Sequence, residues 1–481
     1  MPRENIDILI IKSGSQNELY GQLSQTLTGL EPPLWAALLA AFGREKGFKV
    51  KMVDAEVKPE DLKQALAAYS PRFAAVVVSG TNPSASTMNM TGSRMVLAEI
   101  KSAVPDTETI LMGLHPSALP ERTLKEEDVS MVCQGEGFYT LTDLLSGITR
   151  GGVRGLWYRD SGKILSNPAA ELVNPDDLPI PAWDLLPMDE YRAHNWHAWS
   201  NGNRRKPYGV IYTSLGCPFN CSFCCINAIF GTRKIRYRNP AIVIKDIEYL
   251  VNNYGIKNIK IIDEMFALNE EHIEKLCDLI IERSYDLNIW AYGRVDTIKE
   301  TMLAKMKKAG INWLAIGFES GSDKVRGNVV KGRFGDDAIK DLVRLIRRAG
   351  INIVGNFIFG LPGDTLETMR DTLAMAKDLN CEYTNFYVCM AYPGSKLYNE
   401  IDPKDLPESW RGYSQFGYDT KPLPTTNLRP EEILRFRDEA FNEFCSLEAY
   451  QNAISEKFGG GTLLEVKDML KHKLKRRLLG D

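Results

Sequence analysis

The sequence contains no long apolar run. None approaches the roughly 18 residues that a membrane-spanning helix needs, and no apolar leader with a small-residue cleavage site precedes the strand-like segment Ile6–Ile11. It lacks an excess of charge: Lys+Arg 59 stand against Asp+Glu 62, a formal net charge of −3. That balance excludes a wholesale nucleic-acid binder, so no nucleic-acid partner is expected. It also lacks G-x-G-x-x-G and G-x-x-x-x-G-K-S/T, which leaves a nucleotide-phosphate site unsupported. Neither a fixed short repeat nor a low-complexity tract occurs. What is present is ordinary for a globular chain, with 44% hydrophobic, 25% charged and 9% aromatic residues. At about 150 residues per domain, 481 residues predict about three domains, and the expected location is cytoplasmic.

Nine cysteines are unevenly spread. Cys133, Cys277, Cys381, Cys389 and Cys445 stand singly, whereas Cys217, Cys221, Cys224 and Cys225 crowd together. An odd count with one dense cluster is not a disulfide framework. Cys217, Cys221 and Cys224 follow C-x3-C-x2-C directly after an apolar strand. Three thiolates on a tight loop can hold three irons of a [4Fe–4S] cubane and leave the fourth open for chemistry. A zinc site would want a fourth Cys or His in a second pair, and the nearest candidates, His272 and Cys277, lie within an amphipathic helix pattern.

Hydrophobic periodicity divides the chain into four parts. Residues 1–150 alternate apolar strands (Ile6–Ile11, Val50–Val57, Ala74–Val78, Thr109–Met112, Val129–Val132) with helices, the pattern of a parallel α/β sheet covered on both faces. Ligands sit at the carboxyl edge of such a sheet. Residues 151–206 form a linker of short strand pairs and prolines. Residues 207–400 hold six strand–helix units, which predict an open, partial (β/α)6 barrel with its site at the carboxyl ends of the strands. Residues 401–481 read as helical. The last helix, about Leu463–Leu478, has a basic side (Lys467, Lys471, Lys473, Lys475, Arg476, Arg477) opposite Leu463, Leu464, Val466, Met469, Leu470 and Leu474. Such a face either packs against the barrel or rests on a membrane surface.

The cysteine loop resembles that of the radical S-adenosylmethionine superfamily. The resemblance implies that Cys217, Cys221 and Cys224 hold the cluster, that the open iron takes the amino and carboxylate groups of S-adenosylmethionine, and that Phe223 packs on the adenine. It implies reductive cleavage to a 5′-deoxyadenosyl radical, with electrons from a reductant such as flavodoxin or ferredoxin. Further likenesses fall at successive strand ends. Asp263 and Glu264 match the position that holds the methionine amino group, and Arg294 resembles the arginine that clamps the methionine carboxylate. Glu319 is the candidate for the ribose hydroxyls. Gly355–Asp364, with Asn356, resembles the segment flanking the adenine.

The first domain resembles the cobalamin-binding half of cobalamin-dependent radical S-adenosylmethionine enzymes, class B methyltransferases and anaerobic porphyrin-ester cyclases alike. Leu34–Asp54, Gly113–Glu121 (G-x-H-P-S-x-x-P-E), Gly135-Glu136-Gly137 and Pro181–Asp184 carry the likeness. The cobalt-ligating D-x-H-x-x-G is missing, and Lys12-Ser13-Gly14-Ser15-Gln16 stands in its place. The expectation is therefore a base-off cobalamin with no histidine ligand. Ser13, Gly14, Ser79, Gly80, Thr81, Gly113, His115, Gly135 and Glu136 are the residues expected around it. Trp183, Trp196, Trp199, Tyr392 and Tyr398 are candidate walls for a small-molecule, lipid or peptide substrate.

The resemblance implies radical methylation of an unactivated centre. Ring formation or rearrangement without methyl transfer is the alternative, and a cobalamin or redox sensor that binds a partner through its basic terminal helix is the non-enzymatic one.

Overall fold

The computed structural model describes residues 2–21, 23–24, 27–80, 86–329 and 334–481. Its first sheet has seven strands: β1 (Glu4–Lys12), β2 (Val50–Asp54), β3 (Tyr69–Val78), β4 (Glu108–Gly113), β5 (Met131–Cys133), β6 (Leu156–Asp160) and β7 (Lys163–Ser166). Their order is β2-β1-β3-β4-β5-β6-β7. The first five run parallel, and β1 and β3 are buried on both faces over most of their length, as continuous apolar runs require. The β6–β7 hairpin, which the sequence reading places in the linker, extends this sheet instead. It pairs antiparallel on the edge that β5 would otherwise leave bare.

The second sheet contains β8 (Tyr208–Ile211), β11 (Asn258–Ile261), β12 (Asn288–Gly293), β13 (Ile311–Glu319), β14 (Asn352–Phe359) and β15 (Tyr383–Val388), all parallel and in sequence order. β8 and β15 stay unpaired to each other, so this is the expected open barrel of six strands. Short strands β9 (Ser214–Leu215) and β10 (Arg236–Tyr237) pair antiparallel on either side of the cysteine loop. The outer helices bury one stripe each. In Asp336–Arg348 the stripe is Ile339, Leu342, Val343 and Ile346.

The two sheets share one apolar core. The helix Leu34–Glu45 is buried without interruption from Leu34 to Gly43, because it is wedged between them. Its Ala37 carbonyl accepts from Ala182 N–H at 3.1 Å, and Trp35 meets the Tyr212 ring edge-on at 6.0 Å.

At the C-terminus the expected helix 463–478 is corrected. The last α-helix is Gly460–Met469, and the chain then turns back over the body. Arg476 is fully buried there. Its Nε and Nη2 donate to Asp438 at 2.9 Å each, and its Nη1 donates to the Gly417 carbonyl at 2.9 Å. With Val466 and Met469 buried and Leu464 67% exposed, the helical apolar face drawn for a membrane surface does not form. No described helix is long and apolar enough to cross a membrane.

Candidate functional site

A cavity of about 980 Å³ lies where the carboxyl ends of both sets of strands meet. Lys12, Asp54, Val78, Ser79, Gly80 and Gly113 line it from the first sheet. Cys217, Cys221, Cys224, Glu264, Arg294 and Glu319 line it from the barrel.

The cysteine loop is held from both ends. β9 delivers the chain to Gly216, whose φ is +90°. A Cβ there would lie 2.4 Å from the Lys234 carbonyl oxygen, so only glycine makes the turn. Cys217, Cys221 and Cys224 then face the cavity, while Cys225 is fully buried outside its lining and burial pushes its thiol well up. Arg294 places Nη1 3.6 Å from Cys221 Sγ, with its guanidinium 3.7 Å above the Phe219 ring. Among the described residues no three Cys, His, Asp or Glu side chains converge on a single ion. Three separate thiols on one cavity wall, with a cation beside them, fit a cluster that offers each thiolate its own iron.

The residues expected around S-adenosylmethionine divide. Phe223, Glu264, Arg294, Glu319 and Asn356 all line the cavity. Glu264 accepts from Gly216 N–H at 3.0 Å, and burial pushes its carboxyl up to about 8. Glu319 is 5% exposed and has φ of +65°, at the point where β13 shifts register against β14. That is strained backbone for a non-glycine residue. Asn356 donates to the Ile316 carbonyl at 3.3 Å and accepts from Asn385 at 3.0 Å. Asp263 is the exception. It is fully buried behind the wall, where Thr213 N–H, Thr213 Oγ1 and Ser214 Oγ all donate to it at 2.6 Å. Strand alternation turns Glu264 inward and Asp263 away. Arg294 also differs from the expectation of an open clamp, because Nε and Nη2 already grip Asp296 at 2.9 and 2.8 Å.

On the first sheet, Ser79, Gly80 and Gly113 reach the cavity, and Thr81 lies outside the described residues. Gly113 has φ of +114°, and a Cβ on it would meet the Val78 carbonyl oxygen at 2.3 Å. This wall of backbone and small side chains suits a broad ligand laid across the strand ends. Ser13, Gly14, His115, Gly135 and Glu136 stand behind it. Ser13 accepts from Ser93 at 2.9 Å, and Gly14 packs so tightly that a Cβ would sit 2.5 Å from the Ala55 oxygen. His115 is 1% exposed, lies 3.2 Å from Thr87 Oγ1 and meets the Trp410 ring at 4.5 Å. Burial, aided by the Arg122 charge, pulls its pKa down to about 3. Gly135 N–H donates to Ser117 at 3.0 Å. Glu136 pairs with Arg236 and accepts from Val173 N–H at 2.8 Å. The two histidines that do line the cavity, His194 and His472, come from the connecting segment and the terminal tail.

Of the aromatic candidates, Trp196 and Tyr392 line the cavity. Trp183 and Trp199 are core residues, and Tyr398 accepts from Arg122 at 3.0 Å. Sequence reasoning missed Tyr20, Phe219, Tyr292, Tyr387 and Arg437. Tyr292 is legible as the inward neighbour two positions before Arg294, and Phe219 sits within the cysteine loop. Arg437 carries no local signal, because the helix that holds it reaches the barrel only through tertiary packing.

Comparison with known proteins bears on this arrangement. The sequence matches the radical SAM superfamily over residues 211–376 and the B12 binding domain over residues 23–145. It is 31% identical over 417 residues to an uncharacterized methyltransferase of Pyrococcus horikoshii, covering 84% of this chain and 86% of that protein. It is 26% identical over 394 residues to the anaerobic magnesium-protoporphyrin IX monomethyl ester cyclase of Rubrivivax gelatinosus, covering 79% of this chain and 68% of that one. The fold is similar to that of the radical S-adenosylmethionine methyltransferase TsrM of Kitasatospora setae, solved with cobalamin and a [4Fe–4S] cluster bound. The TM-score is 0.66 at 19% identity, covering 87% of this chain and 82% of that chain.

Proposed function

Because this chain belongs to the cobalamin-dependent radical S-adenosylmethionine enzyme family, methyltransferases among its relatives, we propose that it methylates an unactivated carbon of a substrate held between its two sheets. One observation carries this reading: the three thiols and the open ends of β3 and β4 face a single cavity. The groups bound there supply a carbon radical that takes hydrogen from the substrate, and a methyl group to put in its place.

The chain's own residues then have separable tasks. Cys217, Cys221 and Cys224 hold the cluster, and Arg294 keeps a positive charge against Cys221. Glu264, beyond the end of β11, and Glu319, at the end of β13, meet the ammonium and ribose of S-adenosylmethionine, while Phe223 and Asn356 flank the adenine. Ser79, Gly80 and Gly113 receive the corrin. The sequence Lys12-Ser13-Gly14-Ser15-Gln16, standing where D-x-H-x-x-G would be, supports a base-off cobalamin without a histidine ligand. Electrons come from a low-potential protein such as flavodoxin or ferredoxin.

The likeness to the Rubrivivax cyclase favours one second reading, oxidative ring closure without methyl transfer. Anaerobically reconstituted protein with cobalamin, S-adenosylmethionine and reductant tests both. Cysteine-dependent 5′-deoxyadenosine with stoichiometric cobalt supports the assembly, and iron with cleavage but no cobalt overturns the methylation reading. A product heavier by one methyl group separates methylation from ring closure.

A further inference from the structure

The open side of the barrel, at the unpaired edge of β15, is covered by the helix Pro430–Cys445. Arg437 of that helix is 4% exposed and lines the cavity. Three features hold its guanidinium rigid. Nε donates to the Phe386 carbonyl at 2.8 Å, Nη1 donates to Asp438 at 2.7 Å, and the Phe416 and Phe441 rings lie 4.9 and 5.7 Å from its centre. Nη2 is left over: among the described residues none accepts from it. Asp438 compensates this cation only in part, because the same carboxylate also takes two donors of Arg476. Two buried guanidinium groups therefore share one carboxylate. Burial consequently opposes the charge on Arg437.

Tyr387, on β15, follows the Phe386 whose carbonyl holds Arg437 Nε, and it lines the same cavity. Its hydroxyl has no hydrogen-bond partner among the described residues, and burial holds its proton on. A fixed guanidinium edge and a phenolic O–H converging on a cavity are a donor pair awaiting an acceptor, and a buried cation keeps its charge cheaply only beside an anion.

We propose that Arg437 and Tyr387 form a subsite that binds an anionic group of the substrate, a carboxylate or a phosphoryl group, and so anchors it on the open side of the barrel. This rests on the reading above that the cavity takes the substrate. Size and flexibility of the remainder of the substrate are set elsewhere in the cavity, whereas the anion is set here.

Bromide is a probe that needs no matching shape. Crystals of the cofactor-loaded enzyme soaked in bromide are expected to show an anomalous peak within hydrogen-bond reach of Arg437 Nη2 and Tyr387 Oη. The peak disappears in Arg437→Gln and weakens in Tyr387→Phe, a change that deletes one oxygen and leaves the packing intact. In solution, millimolar acetate or methylphosphonate raises the Tm of wild-type enzyme more than that of either variant, and the more effective of the two identifies carboxylate or phosphoryl. No peak at Arg437, a peak unchanged in either variant, or equal Tm shifts in all three proteins overturns the proposal. Iron and cobalt are assayed on the same samples. Their loss in wild-type protein defeats the cofactor reading, while the bromide peak reports on the subsite alone.

Discussion

Glu136 and Arg236 form a buried ion pair that joins the first sheet to the base of the cysteine loop: Glu136 follows β5, and Arg236 lies in β10, which pairs with β9 just before Cys217. The carboxylate also accepts from Val173 N–H in the connecting segment, so three parts of the chain meet on one side chain. Breaking a buried pair by removing one partner leaves the other charge stranded. Glu136→Ala is expected to lower unfolding free energy by about 3–5 kcal/mol in urea titrations. A loss below about 0.5 kcal/mol, typical of a surface change, defeats this role.

The four crowded cysteines are expected to behave as three and one. Alanine at Cys217, Cys221 or Cys224 removes most of the iron from anaerobically reconstituted protein. Alanine at Cys225, whose thiol is buried outside the cavity lining, leaves iron at the wild-type level. Iron analysis with the visible absorption of the cluster decides it. Equal losses at all four positions contradict the loop geometry.

Three buried histidines make the fold sensitive to acid. Burial holds His115 and His197 each at about 3 and His272 at about 4, against about 6.5 in an unfolded chain. A depressed pKa means that the stability tied to the neutral ring is complete above about pH 6.5 and is lost as pH falls towards 3. Each ring contributes a slope of about 1.4 kcal/mol per pH unit within that window. His115→Phe, which can pack against Trp410, removes one such slope. Urea titrations of both proteins from pH 7 to pH 4.5 should therefore converge or cross as the pH falls. Parallel curves mean that His115 titrates normally. The same variant is expected to bind cobalamin as wild type does, because His115 stands behind the cavity wall.

The terminal tail is a structural strap. Arg476 reaches Asp438, the Gly417 carbonyl and Thr420 from a fully buried position. Asp438 stays paired with Arg437 in Arg476→Ala, so the expected cost is that of leaving the Gly417 and Thr420 oxygens without their donor, about 1–3 kcal/mol in urea titrations. Sedimentation with anionic liposomes, by contrast, should be the same with and without residues 470–481. Liposome binding that depends on the tail reverses this assignment.

Much of the fold was legible because its causes are local. Short continuous apolar runs such as Ala74–Val78, alternating with helices, read as strands covered on both faces, and six strand–helix units in a row curl in sequence order. The three-thiol loop was legible for the same reason, since C-x3-C-x2-C puts three thiols on one loop whatever surrounds it. Gly113 could be singled out because it opens the G-x-H-P-S-x-x-P-E segment that carries the family resemblance.

The sequence by itself therefore determined the two sheets, the cysteine loop and the kinship of the chain. Only the tertiary structure decided which neighbours face inward. It turned Glu264 into the cavity and Asp263 out of it, put His115 and Glu136 behind the wall, and bent the terminal chain so that Arg476 is interior. It also brought Arg437 from a distant helix to the open edge of the barrel. The physical reason is that a charged or polar side chain carries no address: its position is settled by which partner offsets its burial, and those partners lie tens to hundreds of residues away.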